Sequence, residues 1–530
     1  MKRITLFVLL SLGCAPVHAA AEHTNPALDT VNRAIEAMGG YRLANLKSVA
    51  IKGRNRHWEP QQAFRPNEDT RAGGESEFVI TRDLAGGNSR IDWVRNLIAP
   101  TARVYRYSEV ITATGGVVHG IDSSARVKQS LESKPPQHAM SGTRLAVTLR
   151  ELQRTSPQLL IAMRADPRNL KAMPDQFAGG KRLTAVRYQA GANTFTVLFD
   201  QGTGLPARIR TLDTDSAWGD CNFDLVLSDW REVGGAKFPF HQLYLLNERL
   251  ILHSTYDDVT LNPTLAAGLF EIPASLRAST QPAATHNVEY QWMFRRILWG
   301  GFYDSDTLAF DPRAGGLKLV DLAPGVSHLT GGTHNSLLVE MKDHLIVFDA
   351  PVSNIASQVM LDAAKAKYPG KPVKYLVQTH HHIDHISGAR AYAAAGAKVV
   401  VGRGVGDYLR HMFTSPHNVR KDALSLRPRK AEVIEVADKM ALADGARTVE
   451  VYRIDSAHAE GMLIGYIPDA KLGWVTDIWS PGRDPIVPTA GQREVYQAVT
   501  KIGISPERFA GGHGSVGAYS DLAAKAGAAR

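Results

Sequence analysis

The chain has 530 residues, 44% hydrophobic and 21% charged, which excludes both a disordered polymer and a single small core; two or three domains are expected. The formal net charge is +9, but Lys and Arg are scattered among acidic residues with no run of five, so nucleic acid is not an expected partner. No stretch of about 18 apolar residues follows the N-terminal region, which excludes an ordinary transmembrane helix from the rest of the chain.

The first residues read as a secretory leader. Lys2 and Arg3 precede the apolar run Ile4–Leu12, and Val17-His18-Ala19 offers small residues for cleavage before Ala20. A leader over 1–19 and a periplasmic or secreted protein are expected. Lipidation at Cys14, after Gly13, is the alternative; Ser11 stands where a branched aliphatic is preferred. The basic excess is compatible with peripheral association with an anionic envelope. Cleavage leaves Cys221 alone, so no internal disulfide forms, and Cys221 reads as a small buried side chain.

Leu28, Val31, Ala34 and Ile35 recur at helical spacing within Asn25–Met38, and Gly39-Gly40 ends that helix. The period then changes. Short β-branched and aromatic runs (48–52, 77–80, 88–94, 103–107 and 110–114) lie between Gly, Pro and Asn. A helix is expected over 143–164. A second strand series follows, at 183–188, 194–199, 207–211, 222–227, 243–246 and 250–256. Its junctions carry turn chemistry, as in Asp200-Gln201-Gly202 and Gly234-Gly235. Consecutive antiparallel strands with few helices imply an α+β domain.

The pattern Phe199-Asp200, Gly204-Leu205-Pro206, Asp229–Gly235 and Lys237-Phe238-Pro239, closed by Asn262-Pro263 and Ile272-Pro273, resembles periplasmic lipoprotein-carrier-like domains. The resemblance covers 22–275 and implies a curved antiparallel sheet. It carries no catalytic residue across. It leaves open an apolar-ligand carrier or a domain that only packs against its neighbour. Residues 276–315 read as a connector containing the aromatic run Tyr290–Phe294, Ile297-Leu298-Trp299 and Phe302-Tyr303, expected as a helix between domains.

From 316 to 530 strands and helices alternate, as in an α/β layered domain with functional loops at strand ends. Leu337–Met341 and His344–Phe348 form a hairpin, Ile355–Lys367 an amphipathic helix, and Val373–Gln378 a strand. That strand runs into Thr379-His380-His381-His382-Ile383-Asp384-His385. In an extended loop His380 and His382 point the same way and can hold one metal; Asp384 and His385, past the turn, can face a second. His381 falls on the opposite face and reads as a packing or outer residue. Loops 402–430 and 480–492 are expected to supply pocket residues. Arg403, Arg410 and Arg483 in them are candidate contacts for an anionic substrate, with solvated charge as the default.

The spacing His380-x-His382-x-Asp384-His385 after a strand is the motif of metallo-β-lactamase-fold hydrolases, and this domain is identified as resembling that superfamily over 316–530. The resemblance implies an αβ/βα four-layer sandwich. It implies that His380, His382 and His458 hold the first metal, that Asp384, His385 and His513 hold the second, and that Asp477 bridges them. Asp477 stands where true β-lactamases of the fold carry Cys or Ser. His382 stands where di-iron relatives carry a carboxylate. Both departures point to the two-metal hydrolases, with two divalent ions, zinc first and iron or manganese as alternatives.

In that mechanism two cations roughly 3.5–4 Å apart lower the pKa of a shared water, which attacks a carbonyl or phosphoryl centre. Asp384 would orient the nucleophile and carry the proton. Asp349 would hydrogen-bond the loop or an imidazole, or cap its own turn. His334 reads as an ordinary polar loop residue that could overhang the site. The expected substrate is a small carboxylic ester, lactone or amide. A phosphodiesterase, or a carrier with a structural metal site, is the alternative. The oligomeric state is not set by the sequence.

Overall fold

The computed structural model describes residues 25–68, 70–98, 102–120, 122, 137–284, 289–299, 316–482 and 487–528. The expected leader with Cys14, the pair Phe302-Tyr303 and Arg483 lie outside the described residues. None of the described helices is long and apolar enough to cross a membrane.

Among the described residues the N-terminal sheet has thirteen antiparallel strands. Its order is two meanders sewn together where the first strand, Ser48–Glu59, pairs with the last, Arg249–Leu261, from Val49 opposite Leu261 to His57 opposite Leu252. Several strands are longer than their apolar runs. Gly219–Val233 has 15 residues, because exposed polar residues extend a strand as long as its partners continue the ladder. Alternation is strict in Ala236–Leu246, where every second residue is buried. The predicted 143–164 helix is two, Gly142–Arg154 and Leu159–Ala165, broken at Ser156-Pro157 because proline disfavours helix in the residue before it. These helices and Pro26–Ala37 fill the sheet's apolar side through Leu145, Leu159, Leu160, Met163, Val31 and Ile35. Cys221 is buried there, 1% exposed.

The C-terminal domain has a seven-stranded and a six-stranded sheet. One face of each meets the other: Leu337, Ile346, Phe348, Val377 and Val400 pack with Val449, Leu463, Leu472 and Trp474. The opposite face of the larger sheet, with Leu376, Val399 and Val401, packs on Met360, Tyr392 and Leu409 from helices Asn354–Lys367, Ala389–Ala395 and Gly406–Thr414. The opposite face of the smaller, with Ile464 and Phe509, packs on Val495, Val499 and Leu522 from helices Ala490–Ile502 and Tyr519–Ala528. Helix Gly406–Thr414 occupies part of what reads as loop in the sequence.

The connector helix, Tyr290–Leu298, joins the two domains. Trp292 and Met293 enter the helix-side core of the C-terminal domain together with Ala146, Val147 and Ala217. Leu298 packs instead into the N-terminal core, and Phe294 touches both. Burying Met293, 0% exposed, contributes about 1.5–3 kcal/mol to this junction. The domains therefore share a core.

Candidate metal centre

The histidine loop leaves the end of the parallel strand Val373–Val377 and turns into the short helix Ile383–Ile386. A second loop clamps it: Ala350 N–H donates to the His385 carbonyl at 3.0 Å, and Val352 N–H to the Asp384 carbonyl at 2.9 Å. Asp349 and Asp477, each just past a strand, adopt left-handed backbone conformations, φ 58° and 59°. Val352, at φ 69°, is costlier because it is β-branched; such strain collects at functional sites and persists only where surrounding contacts enforce it.

Two donor groups result. His380, His382, His458 and Asp477 offer ligand atoms all within 4.8 Å of one another. His334, His385 and His513 form a second group by the same measure. Asp477 joins them. Its Oδ2 lies 2.9 Å from His458 Nε2 and 3.4 Å from His380 Nε2. Its Oδ1 lies 2.8 Å from His513 Nε2 and 3.0 Å from His385 Nε2. Each oxygen thus serves one pocket. The loop carrying His513 approaches closely because Gly512 has no side chain; a Cβ there would sit 2.3 Å from Thr476 Oγ1. Asn335 Nδ2 pins that loop by donating to the carbonyls of Gly511 and Gly514, at 2.9 and 3.0 Å.

Hydrogen bonds set the tautomers. Thr379 Oγ1 donates to Asp349, at 2.9 Å to Oδ1, so it accepts from His380 Nδ1 at 3.1 Å and leaves Nε2 with a lone pair. The Thr333 carbonyl accepts from His513 Nδ1 at 3.3 Å, again freeing Nε2. His380 and His513 therefore aim acceptors at an acceptor, the Asp477 carboxylate. A divalent cation between them resolves that conflict. The nitrogens of His380 and His458 are 3.3 Å apart, and the edge of a tetrahedron of ligands about 2.0–2.1 Å from a zinc ion is about 3.4 Å. The residues present fit a pair of divalent ions.

Burial lowers His380 to about 4 and His334 to about 3, and holds His382 well below its ordinary value, so these imidazoles are neutral donors near neutrality. Burial also opposes charge on His385, but Asp477, Asp384 and Asp349 outweigh it and raise this group to about 9. Burial would raise the Asp477 carboxyl; His385 and His513 overcome it and hold the group well below the usual range.

Among the predicted site residues, His380, His382 and His458 come together, as do His385 and His513, with Asp477 between the two groups. Asp384 stands beside the second group. Its Oδ2 is 3.3 Å from His334 Nε2 and 3.0 Å from the Arg296 guanidinium, while Oδ1 accepts from Gln62 Nε2 at 2.5 Å. His381 belongs to neither donor group; its Nε2 lies 3.1 Å from the Ala63 carbonyl, which His382 Nε2 also meets at 3.0 Å, and its ring is edge-on to Tyr408. Asp349 is fully buried and organises Thr379 and Trp474, whose Nε1 lies 3.3 Å from Oδ2. Arg410 is exposed and paired with Asp407 and Glu435, as expected of solvated charge. Gln62 and Arg296 at the site were not singled out in the sequence, and His334 reads there as an ordinary polar loop residue that could overhang the site. Only His334, in Gly331-Gly332-Thr333-His334-Asn335, had a local signal.

Residues 329–516 match the family model described as the Metallo-beta-lactamase superfamily. Similar solved structures include the DIM-1 metallo-beta-lactamase, at 16% identity over 40% of this chain and 98% of that one, with a TM-score of 0.32. They also include the metallo-beta-lactamase from Pontibacter korlensis, at 17% identity over 40% and 97%, TM-score 0.30. The stereoselective inverting sec-alkylsulfatase Pisa1 from Pseudomonas sp. is similar at 16% identity over 40% of this chain and 41% of that one, TM-score 0.31. Comparison with curated proteins gives no match. With the family match spanning the histidine loop, His458, Asp477 and His513, the C-terminal part of this chain is a metallo-beta-lactamase superfamily domain.

Proposed function

We propose that this protein is an exported metal-dependent hydrolase that holds two divalent ions, zinc first, and cleaves a small carboxylic ester, lactone or amide. The observation that carries the reading is the single carboxylate of Asp477 with one oxygen toward each pocket. The three apolar clusters of the C-terminal domain support the helix–sheet–sheet–helix layering expected of the fold. The leader-like start Lys2–Ala19 supports export.

His380, His382 and His458 would hold one ion; His385 and His513, with His334 and Asp384 beside them, would hold the other. Such ions, when bound, polarise a substrate carbonyl and lower the pKa of water. The protein's part is orientation and charge. Burial would raise the Asp384 carboxyl, but Arg296 and His334 hold it well below the usual range, so it accepts hydrogen bonds and orients the attacking water. Asp349 and Thr379 hold the His380 ring in the tautomer that points Nε2 into its pocket.

The test measures metal content of the purified full chain and turnover of lactone, β-lactam, thioester and bis-aryl phosphate substrates. Two metals per chain with ester, lactone or amide cleavage is expected. Turnover of the phosphate diester alone would replace the substrate class, and a chain that binds no metal would overturn the reading. Fractionation of the expressing cells tests export, with the mature chain expected to start after Ala19.

A further inference from the structure

The loop after Ser48–Glu59 reaches from the N-terminal domain to the histidine loop. It is held at its base: Arg295 Nη2 donates to Gln61 Oε1 at 2.9 Å, and Gln61 Nε2 to Asp215 Oδ1 at 2.8 Å. Its tip is held as well. Glu460 N–H donates to the Phe64 carbonyl at 2.8 Å, and Arg65 Nε pairs with the Glu460 carboxylate at 3.1 Å. Glu460 lies two residues beyond His458, so the loop is tied to both ligand loops.

Between these anchors, Gln62 and Ala63 are 6% and 5% exposed. The Ala63 carbonyl faces Nε2 of His382 at 3.0 Å. A carbonyl only accepts, so the His382 proton resides on Nε2. The lone pair is then on Nδ1, which is buried and has no hydrogen-bond partner within the described residues. Gln62 Nε2 binds Asp384 Oδ1, while Arg296, from the connector helix, faces Oδ2. A group that binds the far nitrogen of a ligand imidazole, or one oxygen of a neighbouring carboxylate, fixes the direction in which the remaining atom points.

We propose that Gln62 and the Ala63 carbonyl are positioning groups of the metal centre, so that the N-terminal domain sets the tautomer of His382 and the orientation of Asp384. This rests on the metal-centre reading above. The accessory domain is then part of the active site. The C-terminal domain alone would carry the ligands without two of the contacts that aim them.

Full-length protein, stripped with a chelator, is titrated with Zn2+ against a chromophoric competitor, and with Co2+ while its visible absorption is recorded. The wild type is expected to take two equivalents. Gln62→Leu keeps the bulk but loses the donor; it is expected to bind one equivalent about 10- to 100-fold more weakly, with a changed Co2+ spectrum. Its chelated form should keep the wild-type Tm, which separates positioning from loss of fold. The His382 tautomer is read independently in unaltered, 15N-histidine-labelled protein, with the resonance assigned by its absence in His382→Gln. Protonation at Nε2 is expected. Gln62→Leu with wild-type affinities and spectrum, or His382 protonated at Nδ1, overturns this proposal alone. A wild type that takes up no metal overturns it together with the reading on which it rests.

Discussion

Asp477 and Asp384 at the histidine loop, their side chains 12% and 15% exposed, and the buried Asp349 and Glu289, behind it and between the domains, are shielded acids in different company. Each oxygen of Asp477 faces two imidazoles, and Asp384 faces Arg296 and His334; both carboxyls are held well below the usual range despite burial. Asp349 has hydrogen-bond donors around it, but burial dominates and raises it to about 6. Glu289 is 7% exposed, with Arg420 at 3.6 Å and one carboxylate oxygen without a hydrogen-bond partner among the described residues; burial raises it to about 7. Burial opposes charge on all four. The difference lies in how much opposing charge each meets: two imidazoles on each oxygen of Asp477, and Arg296 with His334 on Asp384, outweigh burial, whereas His385 beside Asp349 and Arg420 beside Glu289 do not.

Removing the shared carboxylate breaks this contrast most severely. Asp477→Ala is expected to lower metal content from two per chain to one or none, and kcat/KM by at least about 10³, or ~4 kcal/mol. Two retained metals with near-native turnover would end its assignment as the bridge. His334→Ala probes the edge of the same set. It is expected to weaken one metal equivalent about 10-fold and leave the other as it was, by competition titration. Unchanged binding of both would place His334 outside the centre. Asp349→Asn tests the second set. It sets an amide N–H2 against the Thr379 and Trp474 donors and should cost about 1–3 kcal/mol of stability, with the metal at His380 held more weakly but not lost. Denaturant unfolding and metal analysis together decide it; a lost metal at unchanged stability would move Asp349 into the first set.

The centre was legible in the sequence where its ligands lie close together. Thr379–His385 concentrates them in one loop, and His513 stands between Gly512 and Gly514, because that ligand loop needs close backbone approach. His334 was read as ordinary because one histidine in a Gly/Thr loop carries no spacing. Gln62 and Ala63 left no trace, since they lie more than 300 residues from their partners, and a backbone carbonyl has no residue signature. In the N-terminal domain the alternating apolar runs marked the strands, but not the polar ends that carry Ser48–Glu59 onward to the loop at the metal centre. The aromatic connector was readable as a helix between domains. That Arg296 on it would face Asp384 depends on how the domains dock, which no local pattern encodes.

The smallest effect tests whether Glu289 belongs to the second set. Asp213 and Asp215 oppose its charge and Arg420 favours it, but burial is the largest influence. Its folded value, about 7, lies above the unfolded value near 4.5, so the unfolded chain releases this proton first as pH rises. The group's contribution is therefore complete below about pH 4.5 and is lost progressively as pH approaches and passes 7. Glu289→Gln removes the titration at nearly constant shape. At pH 4 the variant and the wild type should unfold together. At pH 8 the variant should be more stable by about 1–3 kcal/mol, a shift in Tm of a few degrees, because it carries no buried charge. A variant less stable at pH 8 would show that the pair with Arg420 outweighs burial, and Glu289 would then stand with Asp384 as an acid kept ionised by its partner.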